Sequence, residues 1–184
     1  MKKTILSETF IITDYVSNLL KIDDKEYSSH ILKSFNENET LSKNTFHYTS
    51  LVKKLNDHHF NNWLFEYLND YLNTEYNICV SIDKSNCLVL QKNKFTFSFH
   101  QSDDYKLYDT CDLTFYYIAQ TGDKKSNIVI HYSDNNFKDL KYIEVLDNRK
   151  IIMFNSNLNH YFTLNENDKD TIIVNFELRI LKRL

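Results

Sequence analysis

The stretch LTFYYIA (residues 113–119) decides the fold class, because short runs of aromatic and β-branched residues favour β-strands. Similar short runs, separated by clusters of Asn, Asp, Lys and Ser, lie on both sides of it, at residues 78–82, 87–90, 95–99, 128–132, 142–146, 151–154 and 171–178. The second part of the chain is therefore predicted to be a β-sandwich or barrel of about eight strands, and not a βαβ sheet.

The first part of the chain has the spacing of amphipathic helices instead. Residues 26–35 place three apolar side chains on one face, and residues 49–72 have the strongest pattern of apolar residues three and four positions apart. No internal repeat and no linker rich in Gly, Pro or Ser divides the chain. We therefore predict one α+β domain over residues 1–184, with a helical part at 1–75 and a β-rich part at 76–184.

The overall composition is that of a single globular domain. The 184 residues are 42% apolar, and the 22 Lys and Arg residues are outnumbered by 25 Asp and Glu residues. This balance gives no electrostatic support for binding nucleic acid. No apolar run approaches the roughly 20 residues of a membrane-spanning helix, and the first residues lack a signal-peptide core. We expect a cytoplasmic protein that binds neither nucleic acid nor membranes.

The scarcity of glycine and proline limits the possible chemistry. With one glycine and no proline, the chain has no glycine-rich loop of the kind that cradles nucleotide phosphates. Turns must therefore use Asn, Asp and Ser, which tolerate left-handed backbone. The three cysteines, Cys79, Cys87 and Cys111, contain no CxxC pair and are predicted to be free thiols.

Two of the seven histidines directly follow apolar strands. His100 ends the run FTFSFH, and His160 ends the run IIMFNSNLNH, while Asp103 and Asp104 lie just beyond His100. Two imidazoles and one carboxylate on one side of a metal form the facial triad of non-haem Fe(II) oxygenases. These four residues are therefore candidate metal ligands.

The order of these features resembles that of the Fe(II)/2-oxoglutarate-dependent dioxygenases, and most closely their prolyl-4-hydroxylase-like branch. The similar features are a first ligand histidine, a Tyr-Tyr strand, a strand leading to a second ligand histidine, and a basic residue soon after it. They extend over residues 95–178. The resemblance implies a double-stranded β-helix, or jelly-roll, core with supporting N-terminal helices, and hydroxylation with Fe(II) and 2-oxoglutarate.

The resemblance implies that His100, Asp103 and His160 are the iron ligands. The family motif is His-x-Asp, whereas here Ser102 occupies the second position after His100. On a continuous strand Asp103 would face away from His100, so it can reach the metal only if the chain turns or bulges there. Asp104 is the alternative carboxylate ligand.

The resemblance also implies a binding site for the distal carboxylate of 2-oxoglutarate, formed by Lys169 and Tyr116. Relatives commonly have Arg at the position of Lys169, and Lys lacks the bidentate geometry of a guanidinium group. On the alternation of the predicted last strand, we expect Lys169 to face the inside of the fold. Arg149 and Arg179 are the next candidates.

Two functional hypotheses follow. The first is a hydroxylase that acts on a prolyl residue or on a small amino-acid-like molecule. The second is a catalytically inactive jelly-roll interaction protein that has lost the metal. A site without the carboxylate ligand would instead resemble the halogenase variant of the family. The substrate and the oligomeric state are left open.

Overall fold

The structure of the chain is a computed structural model. The structure describes the following residues: 2–6, 9–16, 24–37, 59–93, 95, 111–124, 126–133 and 139–183. Two strands, β1 (Lys2–Leu6) and β2 (Thr9–Tyr15), come first, followed by the helices α1 (Asp24–Glu37) and α2 (His59–Tyr76). The remaining elements are seven strands, namely β3 (Ile78–Leu90), β4 (Leu113–Gln120), β5 (Asn127–Ser133), β6 (Asp139–Val145), β7 (Lys150–Asn155), β8 (His160–Phe162) and β9 (Thr171–Arg183).

The strands form two antiparallel sheets. The large sheet has the order β1-β2-β7-β4-β9-β3, and the small sheet has the order β6-β5-β8. One core lies between the two sheets, and a second core lies between the large sheet and the two helices. We call the side of the large sheet that faces the small sheet its inner face. Since side chains alternate along a strand, β4 and β9 contribute every second residue to each core.

Helix α2 packs on the large sheet through one apolar stripe. Leu64, Leu68 and Leu72 are four residues apart, and all three are fully buried. The helix ends at Asn77, which has a φ of 54° and donates its backbone N–H to the Asn73 carbonyl over 3.0 Å. This left-handed cap usually requires glycine, and asparagine replaces it here, as the composition predicts.

The predicted helices agree with the structure where it describes them. Residues 26–35 lie within α1, which confirms that helix. The described part of the predicted 49–72 helix lies within α2, and its residues before 59 lie outside the described residues. Neither helix combines the length and the apolar character that crossing a bilayer requires.

The prediction of a helical part at 1–75 is wrong for Lys2–Leu6 and Thr9–Tyr15, which form β1 and β2. Strand β2 pairs with β7, so it lies inside the large sheet. Its neighbouring residues Ile11 and Ile12 enter different cores. A strand buried on both faces is apolar without alternation, and its sequence pattern therefore cannot be separated from that of a short helix.

Most predicted strands are confirmed, with three differences. The runs 78–82 and 87–90 belong to one long strand, β3, whose pairing with β9 contains two bulges. The short strand β8 was not predicted, because three residues give too little pattern. The predicted strand at 95–99 lies outside the described residues, apart from Phe95. The three cysteines are thiols and form no disulfide with one another, as predicted.

Two buried asparagines link the chain segments at one end of the two sheets. We call this end the closed end. The Asn165 amide donates to the carbonyls of Leu90 (2.7 Å) and Lys169 (3.1 Å), and its Oδ1 accepts a hydrogen bond from the Asn167 amide at 2.8 Å. A Cβ at Gly122 would lie 2.6 Å from the Asn167 side chain, which explains the one glycine. The turn between β8 and β9 is thus fixed to the end of β3.

Candidate active site

His160 is the first residue of β8 and is buried between the two sheets, with 1% of its surface exposed. Its Nδ1 atom lies 3.0 Å from the Leu158 carbonyl oxygen. A carbonyl can only accept, so Nδ1 carries the proton, and in the neutral imidazole Nε2 keeps its lone pair. Nε2 lies 2.6 Å from the Tyr116 hydroxyl, which donates to it. The basic nitrogen therefore points toward the inner face of β4.

Tyr116 lies on the inner face of β4 among aromatic side chains. Its ring centroid is 5.9 Å from that of Phe154 and 5.3 Å from that of Phe162. Burial raises the pKa of the Tyr116 phenol, and the negative charge of Glu177 raises it further. The phenol is therefore a neutral hydrogen-bond donor at physiological pH.

Four polar side chains continue this inner face from Tyr116 toward the edge strand β3. Asn175 of β9 is the cross-strand neighbour of Tyr116, and Asn86 of β3 is the neighbour of Asn175 on its other side. Two residues along the same strands, Glu177 pairs with Lys84. We call Asn86, Asn175, Glu177 and Lys84 the polar corner.

The polar corner is only partly satisfied by its own contacts. The Lys84 ammonium is 3.6 Å from Glu177 Oε2, and the Glu177 side chain is 13% exposed. Burial raises the pKa of the Glu177 carboxyl, and the charge of Lys84 offsets only part of this rise. The Oδ1 atoms of Asn86 and Asn175 are buried and have no hydrogen-bond partner among the described residues.

No known protein-family model matches the sequence, and no curated protein is similar to it. Three solved structures nevertheless have a similar fold. The carbocyclase SnoK, a non-haem α-ketoglutarate-dependent enzyme of nogalamycin biosynthesis, has a TM-score of 0.66 at 6% identity, over 92% of this chain and 79% of that chain. A Pseudomonas putida prolyl-4-hydroxylase has a TM-score of 0.61 at 10% identity, over 91% and 92% of the two chains.

The third structure is a viral collagen prolyl hydroxylase of Paramecium bursaria Chlorella virus-1 in complex with 2-oxoglutarate. Its TM-score is 0.58 at 10% identity, over 90% of this chain and 94% of that chain. The chain has the double-stranded β-helix fold of these oxygenases. The predicted fold class, an α+β jelly-roll core with supporting helices, is thereby confirmed. Identities this low show the shared fold alone.

His160 is the one predicted metal ligand that lies within the described part of the double-stranded β-helix. His100, Asp103 and Asp104 lie outside the described residues, so their roles stay predictions. Within the described ranges, no three His, Cys, Asp or Glu side chains come together as a metal site. His160 itself fits a metal, because a backbone carbonyl fixes its ring and leaves Nε2 as the coordinating atom.

The prediction that Lys169 faces the inside of the double-stranded β-helix is wrong. Lys169 is exposed in the turn before β9, at the closed end, and its carbonyl is held by Asn165. Thr171, the first residue of β9, is buried. The prediction failed because periodicity shows which residues of a strand share a face, but it does not show how long the preceding turn is. The proposed binding of 2-oxoglutarate by Lys169 stays a prediction that its position does not support.

The sequence reasoning missed the polar corner of the double-stranded β-helix. One signal was available, because Asn175 and Glu177 interrupt the apolar run of β9 at alternate positions and thus share one face. The side chains of Asn86 and Lys84 gave no such signal. They lie between two runs that were predicted as separate strands, and their proximity to β9 depends on the pairing of the folded sheet.

Proposed function

We propose that this chain is an Fe(II)/2-oxoglutarate-dependent oxygenase that hydroxylates its substrate, with His100, Asp103 and His160 as the iron ligands and Asp104 as the alternative carboxylate. The observation that carries the proposal is the buried His160, whose ring is fixed and whose Nε2 points into the fold. The fold neighbours support it, since two are named prolyl hydroxylases and the third an α-ketoglutarate-dependent carbocyclase.

Iron with bound 2-oxoglutarate would supply the oxidation of a substrate C–H bond by O₂, with release of succinate and CO₂. The residues of the chain itself hold and shield this site. The Leu158 carbonyl keeps the proton on Nδ1 of His160, so Nε2, which accepts from the Tyr116 hydroxyl, is the atom that would bind a metal. Phe154 and Phe162 surround the Tyr116 ring and exclude water from that side.

Tyr116 would bind the distal carboxylate of 2-oxoglutarate. Its hydroxyl donates to His160 Nε2, and one lone pair cannot serve both this proton and a metal ion. When a metal takes Nε2, the phenol must therefore donate elsewhere, and its raised pKa keeps the proton available. A carboxylate oxygen is the strongest acceptor for such a donor.

The proposed activity can be tested with the full chain reconstituted with Fe(II) under anaerobic conditions. We expect about one equivalent of bound iron, a visible charge-transfer absorbance on addition of 2-oxoglutarate, and succinate formation on admission of air. Omission of 2-oxoglutarate is the control for the absorbance and for the succinate. A folded chain that binds no iron would overturn the proposal and favour the metal-free interaction protein.

The variants Tyr116→Phe and Lys169→Ala locate the distal carboxylate of 2-oxoglutarate. We expect Tyr116→Phe to raise the apparent 2-oxoglutarate constant by about ten-fold or more, as loss of a hydrogen bond to a charged group costs about 1.5–3 kcal/mol. We expect Lys169→Ala to have a smaller effect, because Lys169 is exposed at the closed end.

Lys92→Ala is the control for Lys169→Ala, because Lys92 is also exposed and pairs with Asp168, the residue before Lys169, at 2.7 Å. A tens-fold rise of the apparent 2-oxoglutarate constant in Lys169→Ala, with no rise in Tyr116→Phe, would assign the distal carboxylate to Lys169 instead of Tyr116. If neither variant changes the constant, Arg149 and Arg179 are the next residues to substitute. Arg179 lies 2.9 Å from Asp83 in an exposed ion pair.

A further inference from the structure

The polar corner contains three hydrogen-bond acceptors that the chain itself leaves poorly satisfied. Two are the Oδ1 atoms of Asn86 and Asn175, whose residues are 8% and 5% exposed. Neither atom has a hydrogen-bond partner among the residues that the structure describes. The third is the carboxylate of Glu177, which burial shields from most of the solvent. Buried acceptors without donors cost stability, so such groups mark a place for a ligand.

The strand pairing places these three acceptors around one point. Asn86 and Asn175 are direct cross-strand neighbours, and neighbouring strands lie about 4.8 Å apart. Glu177 is two residues beyond Asn175 on the same face, a distance of about 7 Å along the strand. All three side chains leave the sheet on its inner face, the side that also carries Leu88 and Ile173. One small group can therefore contact all three acceptors.

A primary ammonium group matches this arrangement. It has three N–H donors, one for each acceptor, and its positive charge complements the Glu177 carboxylate. A carboxylate ligand fits poorly, since it would face the negative charge of Glu177 and would offer no donor to either amide oxygen. A quaternary ammonium has the charge but lacks the donors.

Lys84 shows that this corner attracts an ammonium group and that the chain does not fill the position. Its Nζ atom lies 3.6 Å from Glu177 Oε2, beyond the 2.7–3.2 Å typical of direct hydrogen bonds of this kind, and its side chain is 58% exposed. An incoming ammonium can displace this long, exposed contact while Lys84 turns into solvent.

We propose that the polar corner binds the primary ammonium group of the substrate, which makes the substrate an amine, such as a free amino acid or the amino group of a peptide. That the bound amine is the substrate rests on the proposed function, because the corner adjoins Tyr116 and His160. The ammonium site itself does not require iron, so it can be tested separately.

The test uses the metal-free full chain at low, constant ionic strength. We expect n-propylammonium to give saturable shifts in NMR titrations, and tetramethylammonium and propionate to give none. Glu177→Gln should weaken n-propylammonium binding at least ten-fold, whereas Lys84→Gln should strengthen it several-fold by removing the internal competitor. Asp168→Asn is the matched control, because Asp168 is an exposed acid at the closed end that pairs with Lys92 instead.

Equal binding of propylammonium and tetramethylammonium, or unchanged binding in Glu177→Gln, would overturn the ammonium site. If Glu177→Gln does not fold, the Lys84→Gln variant is the test. An n-propylammonium affinity that is unchanged or weaker in Lys84→Gln would overturn the ammonium site. Saturable Ca²⁺ binding that abolishes propylammonium binding would reassign the acceptors to a metal ion. A negative result in these titrations would overturn the ammonium site without affecting the proposed oxygenase activity. A negative result in the iron and succinate measurements would overturn the oxygenase activity without affecting the ammonium site.

Discussion

His160→Ala is expected to abolish stoichiometric Fe(II) binding and, with it, succinate formation from 2-oxoglutarate. The variant removes the imidazole whose Nε2 the Leu158 contact leaves available to a metal. It also leaves the Tyr116 hydroxyl without its acceptor, so a moderate loss of stability of about 1–3 kcal/mol should accompany it. Iron content after anaerobic reconstitution and a thermal melt separate the two effects.

His131→Ala is the control for this variant. His131 lies at the end of β5 and pairs with Asp139 at 3.1 Å, so its loss should change neither iron content nor turnover. Retention of one equivalent of iron by folded His160→Ala would contradict the assignment of His160. Loss of iron from both histidine variants alike would point to a general effect on folding.

Lys150→Met is expected to cause the largest loss of stability. Lys150 is 5% exposed, and its Nζ lies 2.5 Å from Glu144 Oε1 and 2.9 Å from the Val145 carbonyl oxygen. Without the lysine, the half-buried Glu144 carboxylate loses the cation that it pairs with. Breaking such a pair costs about 3–5 kcal/mol, which for a chain of this size lowers Tm by about 10 °C.

The pH dependence of Lys150 gives an independent check. Burial lowers its pKa, but the hydrogen bonds and charges of Glu144 and Tyr15 together outweigh burial, and the pKa of Lys150 is raised overall. A raised pKa means that the stabilisation is fully present at neutral pH and is lost only as the pH rises through that value.

Adding Glu144→Gln should restore part of the stability that Lys150→Met removes, because it neutralises the uncompensated carboxylate. Lys92→Ala, which breaks an exposed ion pair, should leave the stability nearly unchanged. A Lys150→Met variant as stable as the wild type would show that the buried pair contributes no net stability.

The sequence predicts those parts of this fold that depend on the residues of one strand alone. The run at 113–119 forms β4, and Tyr116 lies next to His160 because both residues belong to the layer between the two sheets. Local patterns are sufficient there, since burial on both faces makes β4 apolar throughout. Burial on both faces also prevented the prediction of β2, because its short apolar run resembles the start of a helix.

The rest depends on contacts between distant parts of the chain. Lys169 was misplaced because the turn after β8 is held by Asn165, and no local pattern reports the length of that turn. The polar corner escaped prediction because it joins β3 to β9, and the pairing of Asn86 with Asn175 appears only once the sheet has formed.

The pairing of β9 has a consequence for how this chain can change during evolution. One residue inserted within the first half of β9 would bring Phe176 into the polar corner and send Asn175 and Glu177 into the layer beneath the helices. Residues added to the turn before β9 would move neither. The turn can therefore change in length without changing the residue opposite Tyr116, provided that the Asn165 and Asn167 contacts at the closed end are kept. A relative with a longer or shorter turn should therefore be aligned by the strand partners of β9, because counting residues from His160 would shift the alignment of that strand.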